Sequence, residues 1–180
     1  MKKAILISGT PGTGKTRIAK VLAKRLDAIV VGIDDVIKID KKVVIGYDKK
    51  RKIKIVDEER FAQDIESIIK KIDKQVIVDS HFAHVAKPKF CEICIVLRCN
   101  PRELKRRLES KGYKKEKIIE NVEAEIVGVC TYEALKNGHK VHEIDTSKRK
   151  IDEVVKEIID VIEKRKKASC SVCWGEESFK

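Results

Sequence analysis

The sequence predicts a three-layer α/β/α protein built on a sheet of five parallel strands. Short apolar runs alternate along the chain with longer segments whose apolar residues recur every three or four positions. This alternation is the pattern of buried strands followed by covering helices. A glycine-rich segment, residues 9–16, lies between the first apolar run, Ala4-Ile5-Leu6-Ile7, and the first helical pattern. The order strand, glycine-rich loop, helix therefore opens the chain.

Each later element is predicted from its own local pattern. The predicted strands are about residues 3–8, 28–31, 75–79, 93–97 and 140–144. The predicted helices are about residues 15–26, 57–72, 100–111, 115–138 and 151–166. Asp57 is the expected N-cap of the second helix, and Asn100 followed by Pro101 marks the start of the third. Because crossovers in such sheets are right-handed, the carboxyl ends of strands one, three and four should surround a bound ligand.

The glycine-rich segment fits the pattern G-x-x-x-x-G-K-[ST] of a phosphate-binding loop. Its glycines let backbone N–H groups turn inward around polyphosphate oxygens, at the positive end of a helix. Lys15 is expected to reach the β- and γ-phosphates, and the Thr16 hydroxyl is expected to bind Mg²⁺. The sequence therefore predicts an ATP·Mg site, and its expected binding residues within the loop are Gly9, Pro11, Gly12, Thr13, Gly14, Lys15 and Thr16.

Composition and length limit the classes of protein that fit. The 180 residues suit one domain, expected over residues 1–167, with a cysteine-containing tail at 168–180. No apolar run approaches the length of a membrane span, so the chain is expected to be cytoplasmic. The net charge of +12 fits either an anionic substrate or a nucleic-acid or ribonucleoprotein partner. Aromatic residues make up only 4%, which argues against a platform for stacking bases.

An acid follows the third predicted strand, in the run Asp79-Ser80-His81. In a phosphate-loop protein such an acid commonly holds Mg²⁺ or a water bound to it, although Asp79 also suits a turn. His81 is expected to orient a water or to hold the substrate, and the alternative is a histidine that only makes hydrogen bonds within its loop. Both residues are therefore candidates for catalysis.

Basic residues cluster after the fourth predicted strand, at Arg98, Arg102, Lys105, Arg106, Arg107 and Lys111. Phosphoryl transfer needs positive charge because its transition state spreads negative charge over the phosphoryl oxygens. A short mobile lid at about residues 105–117 is expected to supply this charge, with Arg107 binding ATP and assisting catalysis. A solvated basic face is the alternative interpretation.

The insert at residues 32–56 has the size of a flap that binds a monophosphate. A monophosphate acceptor is already ionised and needs mainly positioning, whereas a hydroxyl acceptor needs a base. Asp34 and Asp35 keep the second possibility open, as a small-metabolite kinase with Asp34 as its base. The insert also contains the basic run 49–52, which suits either a contact with ribosomal RNA or a solvated loop.

Several motifs together resemble the adenylate kinase isoenzyme 6 family. They are the loop G-T-P-G-T-G-K-T at 9–16, Gly46-Tyr47-Asp48, Asp79-x-His81, Val96-Leu97-Arg98, and Arg107-Leu108-x-x-x-Gly112-Tyr113. The resemblance covers most of residues 4–165. It implies transfer of phosphate from ATP to AMP, some ATP hydrolysis, and a role in maturation of the small ribosomal subunit through a platform ribosomal protein. Separately, the chain is expected to be a monomer or a weak dimer.

The same resemblance implies roles for particular residues. The expected AMP-binding residues are Asp34, Asp35, Gly46, Tyr47 and His81. The chain departs from the family at Lys111, where relatives tend to carry arginine before Gly-Tyr. Because an ammonium cannot bind phosphate through two parallel hydrogen bonds, this change is expected to affect lid closure and turnover rather than nucleotide binding.

Two cysteine pairs, Cys91-x-x-Cys94 and Cys170-x-x-Cys173, have the spacing of metal ligands. The closing helix of the predicted fold runs back towards the edge where the fourth strand begins. A structural Zn²⁺ shared by the two pairs is therefore one possibility. The alternatives are a buried Cys94 that acts as a small apolar residue, and a disulfide in an oxidising environment.

Overall fold

The computed structural model describes residues 2–49 and 53–175. Within these residues the strands are β1 (Ala4–Ser8), β2 (Ile29–Gly32), β3 (Val44–Asp48), β4 (Ile53–Val56), β5 (Val76–Asp79), β6 (Cys91–Arg98) and β7 (Val141–Asp145). The helices are α1 (Lys15–Leu26), α2 (Ile33–Ile39), α3 (Glu58–Lys71), α4 (Pro101–Ser110), α5 (Lys115–Ile126), α6 (Val129–Lys136) and α7 (Ile151–Ile162). Short 3₁₀ turns occupy residues 41–43, 83–85 and 88–90.

The central sheet has five parallel strands in the order β2-β5-β1-β6-β7, which confirms the predicted architecture. β1 is buried along its whole length because a helical layer covers each face. Ile5 and Ile7 pack with α1 and α7 on one face, whereas Leu6 packs with Phe61 and Ile65 of α3 on the other. The alternation of side chains along β1 thus supplies both apolar cores.

The strands that flank β1 are β5 and β6, the third and fourth parallel strands along the chain. Their carboxyl ends therefore meet beside the glycine-rich loop, as the sequence predicts. The predicted helix caps are also confirmed. Asp57 accepts a hydrogen bond from the Arg60 amide at 3.0 Å, and Asn100 accepts one from the Arg102 amide at 3.1 Å, with Pro101 in the first turn.

The structure differs from the predicted elements in two places. The helix expected at 115–138 is divided into α5 and α6, because Gly128 takes a left-handed conformation with φ of 66°. A Cβ atom at Gly128 would lie 3.5 Å from Nη1 of the buried Arg98, an ordinary contact distance, so the position favours glycine for its backbone conformation rather than for space. The insert at 32–56, for which no strand was predicted, contains the antiparallel β3–β4 hairpin as well as α2.

The segment after α7 follows the edge of the sheet rather than leaving it. The Glu143 amide of β7 donates a hydrogen bond to the Ser169 carbonyl at 2.9 Å, and the Ser169 amide donates one to His142 Nδ1 at 3.0 Å. Further along, the Val172 amide donates one to Glu143 Oε2 at 3.0 Å. Across the described ranges, no helix combines the length and apolar character that a membrane span needs.

Candidate active site

The phosphate-binding loop lies between β1 and α1, and glycines are required at its tightest points. Gly9 has a φ of 133°, and a Cβ atom there would lie 2.3 Å from the Leu97 carbonyl oxygen of the neighbouring strand. Gly14 takes a left-handed conformation directly before α1. The loop can therefore present backbone N–H groups at the positive end of the helix, which is the arrangement that binds phosphate.

Lys15 lies across the loop and is held by backbone oxygens. Its Nζ donates hydrogen bonds to the carbonyl groups of Gly9 at 2.6 Å and Thr10 at 3.1 Å. Burial lowers the pKa of Lys15, and the nearby Cys130 and Asp79 oppose this shift. The ammonium therefore lies in a partly desolvated site with the Asp79 carboxylate within electrostatic reach, where its interactions with phosphate are strengthened.

Asp79 and Thr16 provide the oxygen atoms suited to Mg²⁺. Asp79 ends β5, level with Ile7 of β1 and Gly32 of β2, and Thr16 is exposed in the first turn of α1. In the described ranges, no group of three or more His, Cys, Asp or Glu side chains is arranged to hold a metal ion. Mg²⁺ in kinase sites takes most of its ligands from phosphate and water, so it needs few protein ligands.

His81 lies two residues beyond Asp79 and packs edge-on against Phe82, with ring centroids 4.5 Å apart. Desolvation on its protein side, followed by the positive charges of Lys15, His84 and Lys117, lowers the pKa of His81 to about 4. His81 is an exposed residue, so solvent moderates the desolvation, but the direction of the shift keeps the ring neutral at pH 7. A neutral imidazole can accept a hydrogen bond from a water or a ligand.

Arg107 lies on α4 with its guanidinium turned towards the loop after β7. Nε contacts Glu103 Oε1 at 3.1 Å, and Nη2 donates hydrogen bonds to the carbonyl groups of Thr146 at 3.0 Å and Ser147 at 3.1 Å. Thr146 Oγ1 in turn donates to the Thr13 carbonyl at 3.0 Å. Only one residue thus separates Arg107 from the phosphate-binding loop.

Two other basic residues of this segment, Arg98 and Lys111, lie in different surroundings. Arg98 was a candidate for charge on the phosphoryl group, but the structure buries it against the carboxylates of Glu125 and Glu143. Burial alone would lower the pKa of Arg98, but these two carboxylates outweigh that effect and raise it. Arg98 is therefore a structural cation here. Lys111, directly after α4, lies close enough to Lys15 for its charge to lower the pKa of that ammonium.

The acids of the insert lie next to the carboxyl edge of the sheet. Gly32, which precedes them, pairs in register with Asp79. Asp35 accepts a hydrogen bond from the Gly32 amide at 3.0 Å, and this bond is the main cause of its lowered pKa. Asp34 is exposed and forms an ion pair with Lys54 of the hairpin at 3.6 Å. Asp35 thus holds the start of α2, and Asp34 connects α2 to the hairpin.

Gly46 and Tyr47 lie on β3, opposite Ile55 and Lys54 of β4. Tyr47 is 55% exposed, and a Cβ atom at Gly46 would lie 3.3 Å from the side chain of Ile55. Both residues therefore lie in the β3–β4 hairpin of the insert. Of the basic run that was a candidate for RNA contact, residues 50–52 lie outside the described residues.

The four-cysteine zinc site is not supported. Cys91 and Cys94 are buried in β6, whereas Cys170 and Cys173 are exposed in the tail. The tail passes the start of β7, where Cys170 Sγ contacts the Val141 carbonyl at 3.7 Å, and Val172 then reaches Glu143 further along the same strand. Burial raises the pKa of Cys91 to about 12, which suits a small apolar residue within a strand.

Sequence reasoning missed Glu125, which is buried on α5 and accepts a hydrogen bond from Thr10 Oγ1 of the phosphate-binding loop at 2.7 Å. It also missed Thr146 and Trp174. A signal for Glu125 existed, because it lies three positions after Val122 on the apolar stripe of its helix. An acid on an apolar stripe predicts a buried cation partner, although the pattern does not identify that partner.

Comparison with known proteins shows the family of this chain. Residues 5–128 match the family described as "AAA domain". Archaeal proteins named "Putative adenylate kinase" are similar over most of the chain. The relative from Methanocaldococcus jannaschii is 41% identical over 97% of this chain and 94% of its own length. The relative from Thermococcus kodakarensis is 39% identical over 96% of this chain and 93% of its own length. The chain belongs to this family of archaeal adenylate kinase relatives.

Solved structures of other proteins share the fold of this family member. Shikimate kinase from Acinetobacter baumannii, in complex with shikimate, has a TM-score of 0.65 at 13% identity, covering 93% of this chain and 96% of its own. The YorR protein from Bacillus subtilis, in complex with phosphorylated GDP, has a TM-score of 0.62 at 16% identity, covering 91% and 97%. At these identities the likeness concerns the three-layer fold alone.

Proposed function

We propose that this protein is a nucleoside monophosphate kinase of the adenylate kinase type, which transfers the γ-phosphoryl group of ATP to AMP. The observation that supports this most is the convergence of Lys15, Asp79 and Arg107 on one edge of the sheet. Lys15 lies within electrostatic reach of Asp79, and Thr146 joins Arg107 to the phosphate-binding loop. Both signs of charge that phosphoryl transfer needs are therefore close to the same loop.

Each group has a role that follows from its chemistry. The loop amides and Lys15 hold the β- and γ-phosphates, and Thr16 and Asp79 hold Mg²⁺, which when bound neutralises charge on those phosphates. Arg107 now donates to backbone carbonyl groups, which are weaker partners than phosphate. On closure of the lid at about residues 105–117, we expect its guanidinium to exchange these partners for the transferred phosphoryl group.

The acceptor is proposed to bind under the flap at residues 32–56, near Asp34, Asp35, Gly46, Tyr47 and His81. AMP is already ionised, so the flap needs to position it and does not need to deprotonate it. Asp34 suits that role better than the role of a base, because its carboxylate is exposed and paired with Lys54. A small-metabolite kinase with Asp34 as its base is therefore the weaker alternative.

Further duties are proposed for the same site. ATP hydrolysis without AMP follows if water reaches the γ-phosphoryl group when the acceptor site is empty. A net charge of +12 supports an anionic partner in addition to the nucleotides, and ribosomal RNA together with a platform ribosomal protein would supply it. In this role the protein acts in the cytoplasm as a monomer or weak dimer that assists maturation of the small ribosomal subunit.

The proposal is tested by measuring ADP formation from ATP with a panel of nucleoside monophosphates. We expect AMP to raise ADP formation at least tenfold above the rate with ATP and Mg²⁺ alone. Lys15→Ala provides the blank, because it should abolish every activity at the loop. Asp34→Asn separates the alternatives, since an AMP kinase should keep most of its activity and a metabolite kinase should lose its chemistry while still binding ATP.

The same assay identifies a protein that mainly hydrolyses ATP. A rate that AMP leaves unchanged, but that small-subunit ribosomal protein or RNA increases, would replace the kinase proposal with an assembly ATPase. Calorimetry with ATP and Mg²⁺ is the prior control. A chain that releases no heat in that titration is not a nucleotide-binding protein, and both interpretations then fail.

A further inference from the structure

Glu125, on helix α5, connects the phosphate-binding loop to the end of strand β6. It is 1% exposed and lies near the end of α5. Its Oε2 accepts a hydrogen bond from Thr10 Oγ1 at 2.7 Å. Its Oε1 accepts hydrogen bonds from Arg98 Nε at 2.6 Å and from the Cys99 amide at 3.1 Å. One buried carboxylate thus joins the loop after β1 to the end of β6.

Arg98 fixes the position of this carboxylate. Nη2 of Arg98 donates to the Glu125 carbonyl at 2.7 Å, and Nη1 donates to the carboxylate of Glu143 on β7. Thr131 also donates to Glu143, at 2.6 Å. Charged groups that are buried and fully hydrogen-bonded have few alternative positions, so a change at one member displaces the others.

The C-terminal segment closes this cluster on its outer side. The Val172 amide donates to Glu143 Oε2 at 3.0 Å, and Trp174 Nε1 donates to Glu125 Oε1 at 3.3 Å. The Arg98 guanidinium carbon lies 5.7 Å from the centroid of the Trp174 ring, within the range of a cation–π contact. The tail therefore reaches the same carboxylate that holds Thr10 of the phosphate-binding loop.

We propose that Glu125 is a positioning residue of the phosphate-binding loop, and that residues 168–174 hold it in place through Trp174. Docking of the tail and binding of ATP then strengthen each other, because both depend on one position of the Glu125 carboxylate. The proposal deepens the proposed function, but it rests only on nucleotide binding at the loop. It does not depend on AMP as the acceptor.

Trp174 is the only tryptophan in the chain, so its fluorescence reports directly on the docked tail. The first experiment titrates the full-length protein with Mg²⁺ and an ATP analogue that cannot be hydrolysed. We expect the tryptophan emission to change and to saturate at the dissociation constant that calorimetry gives for the same analogue. Emission that stays constant up to saturation would overturn the proposal.

The second experiment compares Trp174→Ala with Cys173→Ala, a matched control at the exposed neighbouring position. Trp174→Ala should weaken binding of the ATP analogue about three- to tenfold, the range expected from losing part of one hydrogen bond. Cys173→Ala should bind it as the native protein does. The midpoint of thermal unfolding without ligand is measured in parallel, because a purely structural role would lower that midpoint without changing the affinity.

Trp174→Phe keeps an aromatic ring over Arg98 but removes the N–H donor. If Trp174→Ala fails to fold, the affinity of Trp174→Phe for the ATP analogue tests the proposal instead. A folded variant of either kind with native affinity for the analogue overturns the proposal. Failure of this proposal can be distinguished from failure of the proposed kinase function. A protein in which the tail and ATP are coupled, but AMP yields no ADP, retains this inference and loses the proposed function.

Discussion

Thr146 Oγ1 donates a hydrogen bond to the Thr13 carbonyl oxygen at 3.0 Å, which joins the end of β7 to the phosphate-binding loop. Thr146 is 5% exposed, and the same hydroxyl lies 2.9 Å from the Arg98 carbonyl. Its backbone carbonyl accepts a hydrogen bond from Arg107. A single small side chain thus sets the position of the loop relative to the arginine proposed for catalysis.

The first prediction concerns this threonine. Thr146→Val keeps the shape of the side chain and removes the hydroxyl, so the Thr13 carbonyl loses a buried partner. We expect the KM for ATP to rise about three- to tenfold, with a smaller effect on the KM for AMP. Steady-state kinetics with each nucleotide varied in turn measure this. Thr146→Ser restores the hydroxyl and should restore the native KM, and a serine variant as impaired as the valine variant would contradict the explanation.

The second prediction concerns Arg107. Arg107→Lys keeps the charge but cannot make two parallel hydrogen bonds to phosphate, so its kcat should fall about tenfold. Arg107→Ala also removes the charge, so its kcat should fall about a hundredfold or more. The affinity for ATP, measured by calorimetry, should change less than kcat. The matched control is Arg106→Ala, since Arg106 lies on the same helix with its side chain 76% exposed. Equal losses at the two positions would indicate a general effect of basic charge.

The third prediction concerns Mg²⁺ and Asp79. Asp79→Asn removes the charge of the carboxylate at the end of β5 and should lower kcat by about a hundredfold, with a raised requirement for Mg²⁺. A titration of activity against Mg²⁺ concentration separates these effects. Asp73→Asn, at an exposed position in the turn before β5, is the control and should behave as the native protein does. An unchanged Mg²⁺ dependence for Asp79→Asn would remove Asp79 from the metal site.

The fourth prediction concerns the pH dependence of stability. The pKa of His81 is lowered to about 4 in the folded protein and returns to about 6.5 on unfolding. The unfolded chain therefore binds more protons between these values, and the contribution of His81 to stability, complete above pH 6.5, is lost as the pH falls towards 4. Urea unfolding from pH 4 to 7 measures this.

His81→Asn removes one contributor to that slope and should make the free energy of unfolding less dependent on pH in this window. His84 and His139 also have lowered pKa values, so part of the slope should remain. Glu157, whose pKa is lowered to about 2, contributes mainly at lower pH, so its effect is small in the upper part of this window. Identical slopes for the native protein and His81→Asn would show that the His81 pKa is not shifted.

The elements of this fold could be predicted because their causes are local. The burial of β1 follows from Ala4-Ile5-Leu6-Ile7, and the caps at Asp57 and Asn100 follow from side chains that reach their own helix. The division of the long helix at Gly128 could not be predicted in the same way. Gly128 stands in the helical pattern as an isolated glycine, which a helix tolerates, and only the structure shows the left-handed φ that divides α5 from α6.

The sequence by itself determined the five-stranded parallel sheet, the phosphate-binding loop and the edge at which Asp79 lies, because these depend on periodicity and on residues next to one another. Only the tertiary structure decided what the isolated charges do. Arg98 and Arg107 belong to one basic cluster in the sequence, yet Arg98 is buried between two carboxylates and Arg107 binds the backbone that follows β7. Side-chain partners far apart along the chain set these roles, since the energy of a charge depends on burial and on neighbours that folding brings together.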